Sequence, residues 1–470
     1  MKIICVMIDT LRFDYLKQGG ADRPYAPELD RFARDAAFFD QHYLSSFPTV
    51  PNREDIMTGK YSFPHHGWGP LPDDATPAAE IFHDAGYLTQ LITDTPHLLG
   101  SGHRYHRGFD AYHWIRGNEC DSYLLRTNHE VPTMMPFEKT RQDAIVFDHP
   151  LSDLQLWINP DINWEERFFV SKTARTVSRW IEDNYKARDF FLWIDTFEIH
   201  EPWIPPVYLQ ERYDPKHPSG LSPEAGLMCY PNYGPSKVYT KAELRNMRAL
   251  YAGEVSLTSK WVGHILRKLE DVGIYDDCLI AIMADHGTYL GEHGRTGKFL
   301  LGGQGNKTIL PWPQYDEVNR IPLMLKLPGQ RRGRRVSALA QPVDYLPTLL
   351  DLTGIKTGLE FDGHSMRPLL EGKRVAWPRS QAPSSNSIRD HYPNFWTTLS
   401  TPRWLLNVGG GAKEAPMLCD KRTDAPQTHD VARRHPQVVR RMLREYQRFL
   451  ERTGASEGKR ALAQEKLALV

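Results

Sequence analysis

Three apolar runs, each ending in an aspartate, constrain this chain more than any other feature. Ile3 to Ile8 is continuous and rich in β-branched residues, and Asp9 follows it. Phe190 to Ile194 runs into Asp195, and Leu279 to Ala284 runs into Asp285-His286-Gly287. A segment this apolar reads as a strand buried on both faces, hence a central strand of a parallel sheet. In open α/β sheets, ligands gather beyond the carboxyl ends of the strands. A carboxylate there is a helix N-cap or a metal ligand.

Helical periodicity alternates with these runs. Leu29, Phe32, Ala33 and Ala36 mark one face of a short helix. A second helix spans 78–85 and stops at Gly86. Val170, Ala174, Val177 and Ile181 mark a third, and Leu250, Leu257, Trp261, Ile265 and Leu269 a long fourth, closed by Gly273. A fifth covers 341–352 and ends at Gly354. Further strands are expected at 38–39, 88–93 and 322–327. This β–α–β alternation predicts an α/β fold, and no internal repeat is present. Two stretches, about 115–165 and 204–240, lose the rhythm. Irregular insertions of that length form lids, pocket walls or homo-oligomer contacts. After about residue 373 the composition shifts to Ser, Pro, Arg and Trp, with strands expected near Trp396 and at 403–408. A helix follows from about Pro436, with Val439, Met442, Leu443, Tyr446 and Leu450 facing inward. A catalytic domain over 1–372 and a smaller α+β subdomain over 373–470 are therefore expected. The polar tail beyond Gly454 is expected to fray.

Charge excludes some functions. The 470 residues carry 58 Lys+Arg and 58 Asp+Glu, so no global attraction to nucleic acid or to a membrane surface is expected. The run Arg331-Arg332-Gly333-Arg334-Arg335 reads as a solvated turn. Five scattered cysteines (Cys5, Cys120, Cys229, Cys278, Cys419) form no CxxC and predict reduced thiols. Cys5 and Cys278 read as small core residues. No apolar stretch reaches membrane-spanning length, and the first is too short for a signal segment. Together these point to the cytoplasm.

The chemistry gathers around Thr49-Val50-Pro51-Asn52-Arg53. Locally this is a proline turn leading into a helix that stops at Gly59. A threonine hydroxyl is a poor nucleophile unless a metal or base removes its proton. An arginine four residues on can neutralise an oxyanion, sulfate or phosphate. Asp9, Asp285 and His286 fall at strand ends and, with Thr49, make an oxygen-and-nitrogen site for one divalent cation. Such a cation would lower the pKa of the Thr49 hydroxyl. Arg53, His200 and Lys298 would surround a tetrahedral anion.

These pieces, in this order, resemble the sulfatase family of the alkaline phosphatase superfamily along nearly the whole chain. The resemblance is carried by Ile8-Asp9-Thr10-Leu11-Arg12-Phe13-Asp14, the block from Thr49 to Gly59, and Arg107-Gly108-Phe109-Asp110. It continues through His200-Glu201-Pro202-Trp203, Asp285-His286-Gly287, Leu290-Gly291-Glu292-His293-Gly294 with Lys298, and Asp362-Gly363-His364-Ser365. It implies an alkaline-phosphatase-like α/β/α sandwich with a large, mostly parallel sheet and a small C-terminal α+β subdomain. It also implies hydrolysis of sulfate or phosphate-type esters at a metal-activated nucleophile.

Three departures matter. Sulfatases carry Cys or Ser, converted to formylglycine, where this chain has Thr49, and threonine cannot give that aldehyde. Many sulfatases carry paired aspartates where this chain has Asp9-Thr10. Their Lys-x-His pair is replaced by Thr95-Pro96-His97. The set is closer to the phosphodiesterase and phosphonate monoester hydrolase branch, with a threonine nucleophile as in nucleotide pyrophosphatases. Those threonine relatives hold two zinc ions, and Asp195 with His200 would supply part of a second site. One divalent cation (Mn, Zn, Ca or Mg) is expected here, with a second in reserve. The expected partner is a small anionic ester, favoured as a phosphodiester or phosphonate monoester. The alternatives are a sulfatase acting without formylglycine, a phosphomutase-type transferase, and an inactive binding protein.

Overall fold

The computed structural model describes the whole chain except residues 24, 120, 122, 124–144, 147–148, 151–157, 160–161, 163, 217–229, 303–307, 389–395 and 412–413. Much of both irregular insertions, and Cys120 and Cys229, thus lie outside the described residues.

In chain order the strands that frame the site begin with β1 (Lys2–Ile8), β2 (Ala37–Phe39), β3 (Ser46–Phe47), β4 (Leu88–Thr93) and β5 (Ala111–Trp114). They continue with β6 (Phe190–Thr196), β7 (Cys278–Ala284), β8 (Leu323–Lys326) and β9 (Arg334–Val336). All but β3 form one eight-stranded sheet, ordered β9-β2-β8-β7-β1-β6-β4-β5. From β7 through β1, β6 and β4 to β5 every pairing is parallel, while β8 runs antiparallel to both β7 and β2. The run at 322–327 is therefore the strand that makes the sheet mixed.

The central strand explains its own sequence. Successive side chains alternate across a sheet. Ile4, Val6 and Ile8 enter one core with Leu29, Phe32, Val177 and Leu257. Ile3, Cys5 and Met7 enter the opposite core with Val50, Phe82 and Leu346. Neither face of β1 meets water, so no polar residue alternates along it. The helices on the first face are α1 (Pro27–Phe32), α4 (Phe169–Asn184) and α5 (Lys241–Asp271), and on the second α2 (Thr49–Thr58), α3 (Ala78–Asp84) and α6 (Tyr345–Thr353). The result is the expected α/β/α sandwich. Helix α5 begins nine residues before Leu250, at a capping box in which Thr240 and Glu243 satisfy each other's backbone N–H groups. Arg331 pairs with Asp276 and Arg335 with Asp40; the basic run, expected as a turn, starts as one at the surface and enters the edge strand β9 at Arg334.

After residue 373 the strands β10 (Ala382–Asn386), β11 (Thr397–Ser400), β12 (Trp404–Val408) and β13 (Met417–Asp420) form a second sheet, ordered β13-β12-β11-β10-β3. Helix α7 (Pro436–Arg452) packs on it through Val439, Met442, Leu443, Tyr446 and Leu450. The tail does not fray: Glu457–Ala468 forms helix α8. Ala463 is buried, and the buried Lys466 ammonium donates to the carbonyls of Gly411 and Glu414. Polar composition suggested fraying, but long-range anchors hold the helix.

The last strand of that second sheet, β3, precedes Thr49 directly, and it pairs in parallel with β10 at Ser46–Ser385 and Phe47–Asn386. Asp55 locks α2 to this segment. Its carboxylate accepts from the Ser45 hydroxyl, from Ser46 N at 2.9 Å and from Ser62 N at 2.7 Å. Asp55→Ala leaves three buried donors unpaired, each costing about 1–3 kcal/mol. We expect a stability loss of at least about 3 kcal/mol by denaturant unfolding, with loss of the fixed geometry around Thr49.

Candidate active site

Asp9 leaves the end of β1 and Asp285 the end of β7, and the register pairs Ile8 with Ala284, so the two carboxylates stand level. Asp9, Asp285 and His286 are fully buried, and one ligand atom from each lies within 4.8 Å of the others. Asp9 is thus not the cap of a following helix. His286 Nδ1–H donates to the Gly287 carbonyl at 3.0 Å, a tautomer fixed by that bond, and this leaves the Nε2 lone pair for the carboxylate side. Nε2 lies 3.5 Å from Asp285 and 3.9 Å from Asp9. Burial holds the imidazole pKa down to about 3. Burial and the facing Asp285 push Asp9 well above the usual carboxylate range. Burial also opposes ionisation of Asp285, but His286 and Arg53 hold it net below its ordinary value. Asp9 Oδ2 is buried and accepts no hydrogen bond from the described residues. Two carboxylates and a neutral imidazole, aimed at one point, are a donor set that fits a divalent cation.

The residue after Asp9 is held tightly. Thr10 has φ +60°, a left-handed backbone that a β-branched residue adopts only under constraint. Its N–H donates to Asp285 Oδ1 at 2.9 Å, its hydroxyl to Asp9 Oδ1 at 2.7 Å, and its carbonyl accepts from Tyr251 at 2.7 Å. These bonds fix both carboxylates from behind.

Helix α2 supplies Thr49 and Arg53. All ten of its residues are buried, six of them polar, so the helix is stable only if those groups find partners. Thr49 Oγ1 lies 3.3 Å from His286 Nε2. Arg53 donates to Asp195 through Nε and Nη2 at 2.9 and 2.8 Å, and to Asp285 through Nη1 at 2.6 Å. Its Nη2 is 3.1 Å from Asp9, and Nη1 also donates to the Thr49 carbonyl at 3.1 Å. The guanidinium therefore bridges the ends of β1, β6 and β7. Both Asp195 oxygens are engaged by Arg53, and Thr95 and Trp193 donate to them as well. Asp195 is an anchor for Arg53 rather than part of a second metal site. It shares the strand-end position of Asp9 and Asp285, and that is the signal available in the sequence.

His200 and Lys298 meet at Glu201. His200 Nδ1–H donates to the Glu201 carbonyl at 2.8 Å, and the ring stacks on Phe197 with centroids 4.1 Å apart. Burial, then the nearby Lys298 ammonium, hold its pKa down to about 4. Lys298 Nζ is buried with no hydrogen-bond partner among the described residues, 3.5 Å from a Glu201 oxygen. Tyr233 donates its hydroxyl to the other Glu201 oxygen. Asp9, Thr49, Arg53, Asp285 and His286 thus form one contiguous cluster, and the positive charge of Lys298 adds to burial in holding the His286 pKa down. The other motifs hold the fold. Arg107 donates to the Pro72 and Ala75 carbonyls and Asp110 accepts from Thr89, while Asp362 accepts from Tyr61 N. A Cβ on Gly363 would meet the Val343 carbonyl oxygen at 1.8 Å.

Removing the guanidinium while keeping its bulk leaves three buried carboxylates uncompensated. Arg53→Met is expected to lose about 3–5 kcal/mol in denaturant unfolding with a chelator present. Added divalent cation should restore part of it.

The Sulfatase family model matches residues 2–355. The chain is 25% identical over 422 residues to the multifunctional alkaline phosphatase superfamily protein PehA of Trinickia caryophylli, covering 80% of this chain and 78% of that one. It is 23% identical to arylsulfatase K of Gallus gallus, covering 88% and 75%. The phosphonate monoester hydrolase of Agrobacterium radiobacter superposes with a TM-score of 0.72 at 18% identity, covering 96% of this chain and 95% of that one. The family model spans the sheet, the strand-end cluster and the helix that carries Thr49: the chain belongs to the sulfatase family and is an ester hydrolase of the alkaline phosphatase superfamily.

Proposed function

We propose that this chain hydrolyses a phosphodiester or phosphonate monoester with Thr49 as the nucleophile. The observation that carries the reading is the Thr49 hydroxyl 3.3 Å from His286 Nε2, at the first residue of α2 and beside the Asp9–Asp285 pair. A divalent cation held by Asp9, Asp285 and His286 would lower the pKa of that hydroxyl and offset developing anionic charge. Thr49 Oγ1, its proton lost to solvent, attacks phosphorus in line, the ester P–O bond breaks, and the leaving oxygen takes up a proton to depart as the alcohol. Lys298, buried with no hydrogen bond of its own among the described residues, donates to the non-bridging oxygens. Arg53 keeps its four carboxylate contacts and holds α2 in place.

The second half-reaction separates phosphorus from sulfur substrates. A formylglycine adduct can release its anion by C–O cleavage. A threonine adduct has no such exit, so water must attack the central atom. His200 is suited to activate that water. With Nδ1–H given to the Glu201 carbonyl, its Nε2 carries a lone pair that takes the proton. Water then displaces Thr49 from phosphorus and resets the hydroxyl. Attack at phosphorus is the easier route, which favours phosphorus esters over alkyl sulfates. The similarity in fold to phosphonate monoester hydrolases from two bacteria supports the same choice. Catalysis is assigned to 1–372, with 373–470 as the supporting α+β subdomain. The arylsulfatase K relatives keep a sulfatase without formylglycine as the second reading.

Thr49→Ala should abolish turnover of bis(4-nitrophenyl) phosphate while metal content, measured by elemental analysis, stays at the wild-type value. Turnover retained by that variant would remove Thr49 from the mechanism. Wild-type preference for 4-nitrophenyl sulfate over the bis-ester would select the second reading, and a phosphothreonine that passes to a sugar hydroxyl would make the chain a transferase. The pH profile checks His200. A base with its pKa held to about 4 is neutral above that value and is lost as pH falls through it. Where attack of water on the threonine adduct limits turnover, kcat should therefore stay level from about pH 7 down to about pH 5, where an ordinary imidazole is already mostly protonated.

A further inference from the structure

Helix α7 carries more charge than its packing uses. Arg448 and Arg452 stand one turn apart on it, both exposed, and neither has an acidic partner among the described residues. They flank a cavity of about 280 Å³ between α7 and the segment that leads into β10. Arg379 lines it from that segment and His364 from the Asp362-Gly363-His364-Ser365 stretch, with Phe449 as an apolar wall. Glu445 is the one carboxylate among the lining residues, and the Ser380 hydroxyl donates to it at 3.3 Å. Three guanidinium groups against one carboxylate leave the cavity with two net positive charges when His364 is neutral.

Arg379 is the unusual member, because its side chain is only 5% exposed. Nη2 donates to Asp344, and Nη1 to the Tyr61 hydroxyl and to Gln341 Oε1 at 3.0 Å. Nε is buried and has no hydrogen-bond partner among the described residues. A buried donor left unpaired costs free energy that an incoming acceptor recovers. Burial, then the charge of Arg379, hold the His364 pKa below its ordinary value, and Arg452 adds to this while Asp344 opposes it. The fields of two of the arginines thus overlap at a neutral ring that keeps one N–H to give. The cavity is remote from Thr49. From Thr49 the chain runs the ten residues of α2, about 15 Å at about 1.5 Å per residue, before it reaches Tyr61, which Arg379 holds.

We propose that this cavity is a second anion site, separate from the catalytic centre, which seats a tetrahedral oxyanion, phosphate or sulfate, between Arg379, Arg448 and Arg452. Arginine suits such groups because its planar fork of donors matches two oxygens at a time. The seated oxyanion is the acceptor that Arg379 Nε lacks. Small-molecule pockets start at about 300 Å³, so this volume admits the anion with a short organic part against Phe449. The free inorganic anion and an anion on an organic carrier offer the same oxygens to the three arginines. The inference holds whichever ester the catalytic centre takes.

NMR of the full chain, isotope-labelled at histidine and held at constant ionic strength, tests it, with the His364 ring signals assigned through His364→Gln. Titration with inorganic phosphate should move those signals saturably, while an anion in the catalytic centre moves those of His200 and His286. Arg448→Gln combined with Arg452→Gln should weaken the His364 response about tenfold or more. Arg433→Gln combined with Arg434→Gln removes the same charge from exposed positions outside the cavity and should leave the response within about twofold. Glutamine keeps the helix propensity of arginine, so these exposed replacements leave the fold intact. Phenylphosphonate, whose P–C bond an ester hydrolase leaves whole, separates the sources. Binding about tenfold tighter than that of inorganic phosphate assigns an anion on an organic carrier, and equal or weaker binding assigns the free anion. His364 signals that stay still with both probes, or that move alike in the wild type and the Arg448/Arg452 variant, would overturn the site.

Discussion

A guanidinium buried among three aspartates holds the centre of this molecule. Asp9, Asp195 and Asp285 all stand at the carboxyl ends of three mutually parallel strands of one mixed sheet, and none of them meets water. Three such carboxylates cannot stay ionised together without positive charge close by. Arg53 supplies it in a planar fork that reaches all three strand ends, which a lysine's single ammonium could not do. The same side chain donates to the Thr49 carbonyl. The electrostatic hub therefore also sets where the Thr49 hydroxyl, the proposed nucleophile, stands.

A helix composed as TVPNREDIMT would not be buried for its hydrophobicity. It is buried because its polar groups are matched one by one. Arg53 meets the aspartates, Asp55 meets Ser45, Ser46 and Ser62, and Glu54 meets His66. Within this helix the Asn52 amide alone has no hydrogen-bond partner among the described residues. Such a helix has little freedom to shift, and preorganisation of this kind is what a site for anionic transition states requires. The strain at Thr10 belongs to the same frame, since its three hydrogen bonds outweigh an unfavourable backbone. The second sheet contributes from a distance: β3 lies along β10, so residues after 380 help to fix those just before Thr49.

Much of this is legible in the residues alone. The alternation at β1 needs only the rule that a strand without polar residues has two buried faces. Asp9, Thr49, Asp285 and His286 can be grouped because strand ends converge in this kind of sheet. Other assignments fail for identifiable reasons. Asp195 groups with His200 for a second metal only because spacing along the chain cannot tell a ligand from the partner of an arginine. Composition predicts a frayed tail, because Lys466 looks like any solvated lysine until the Gly411 and Glu414 carbonyls are seen around it. Arg448 and Arg452 carry no local signal, since each gains meaning only from Arg379 and His364 across the cavity.

By itself the sequence determined the layered α/β architecture, the ester-hydrolase family, and a threonine at position 49, where the resemblance to sulfatases implies a modifiable residue. Those follow from hydrophobic period, strand-end chemistry and motif order, all of which are local or additive along the chain. Tertiary structure decided which charges face one another: that Arg53 answers three aspartates, that His286 turns its lone pair inward, and that Glu201 stands between His200 and Lys298. The physical reason is that hydrogen bonds and ion pairs depend on distance and direction between groups far apart in sequence. Those quantities come into being only when the chain closes on itself.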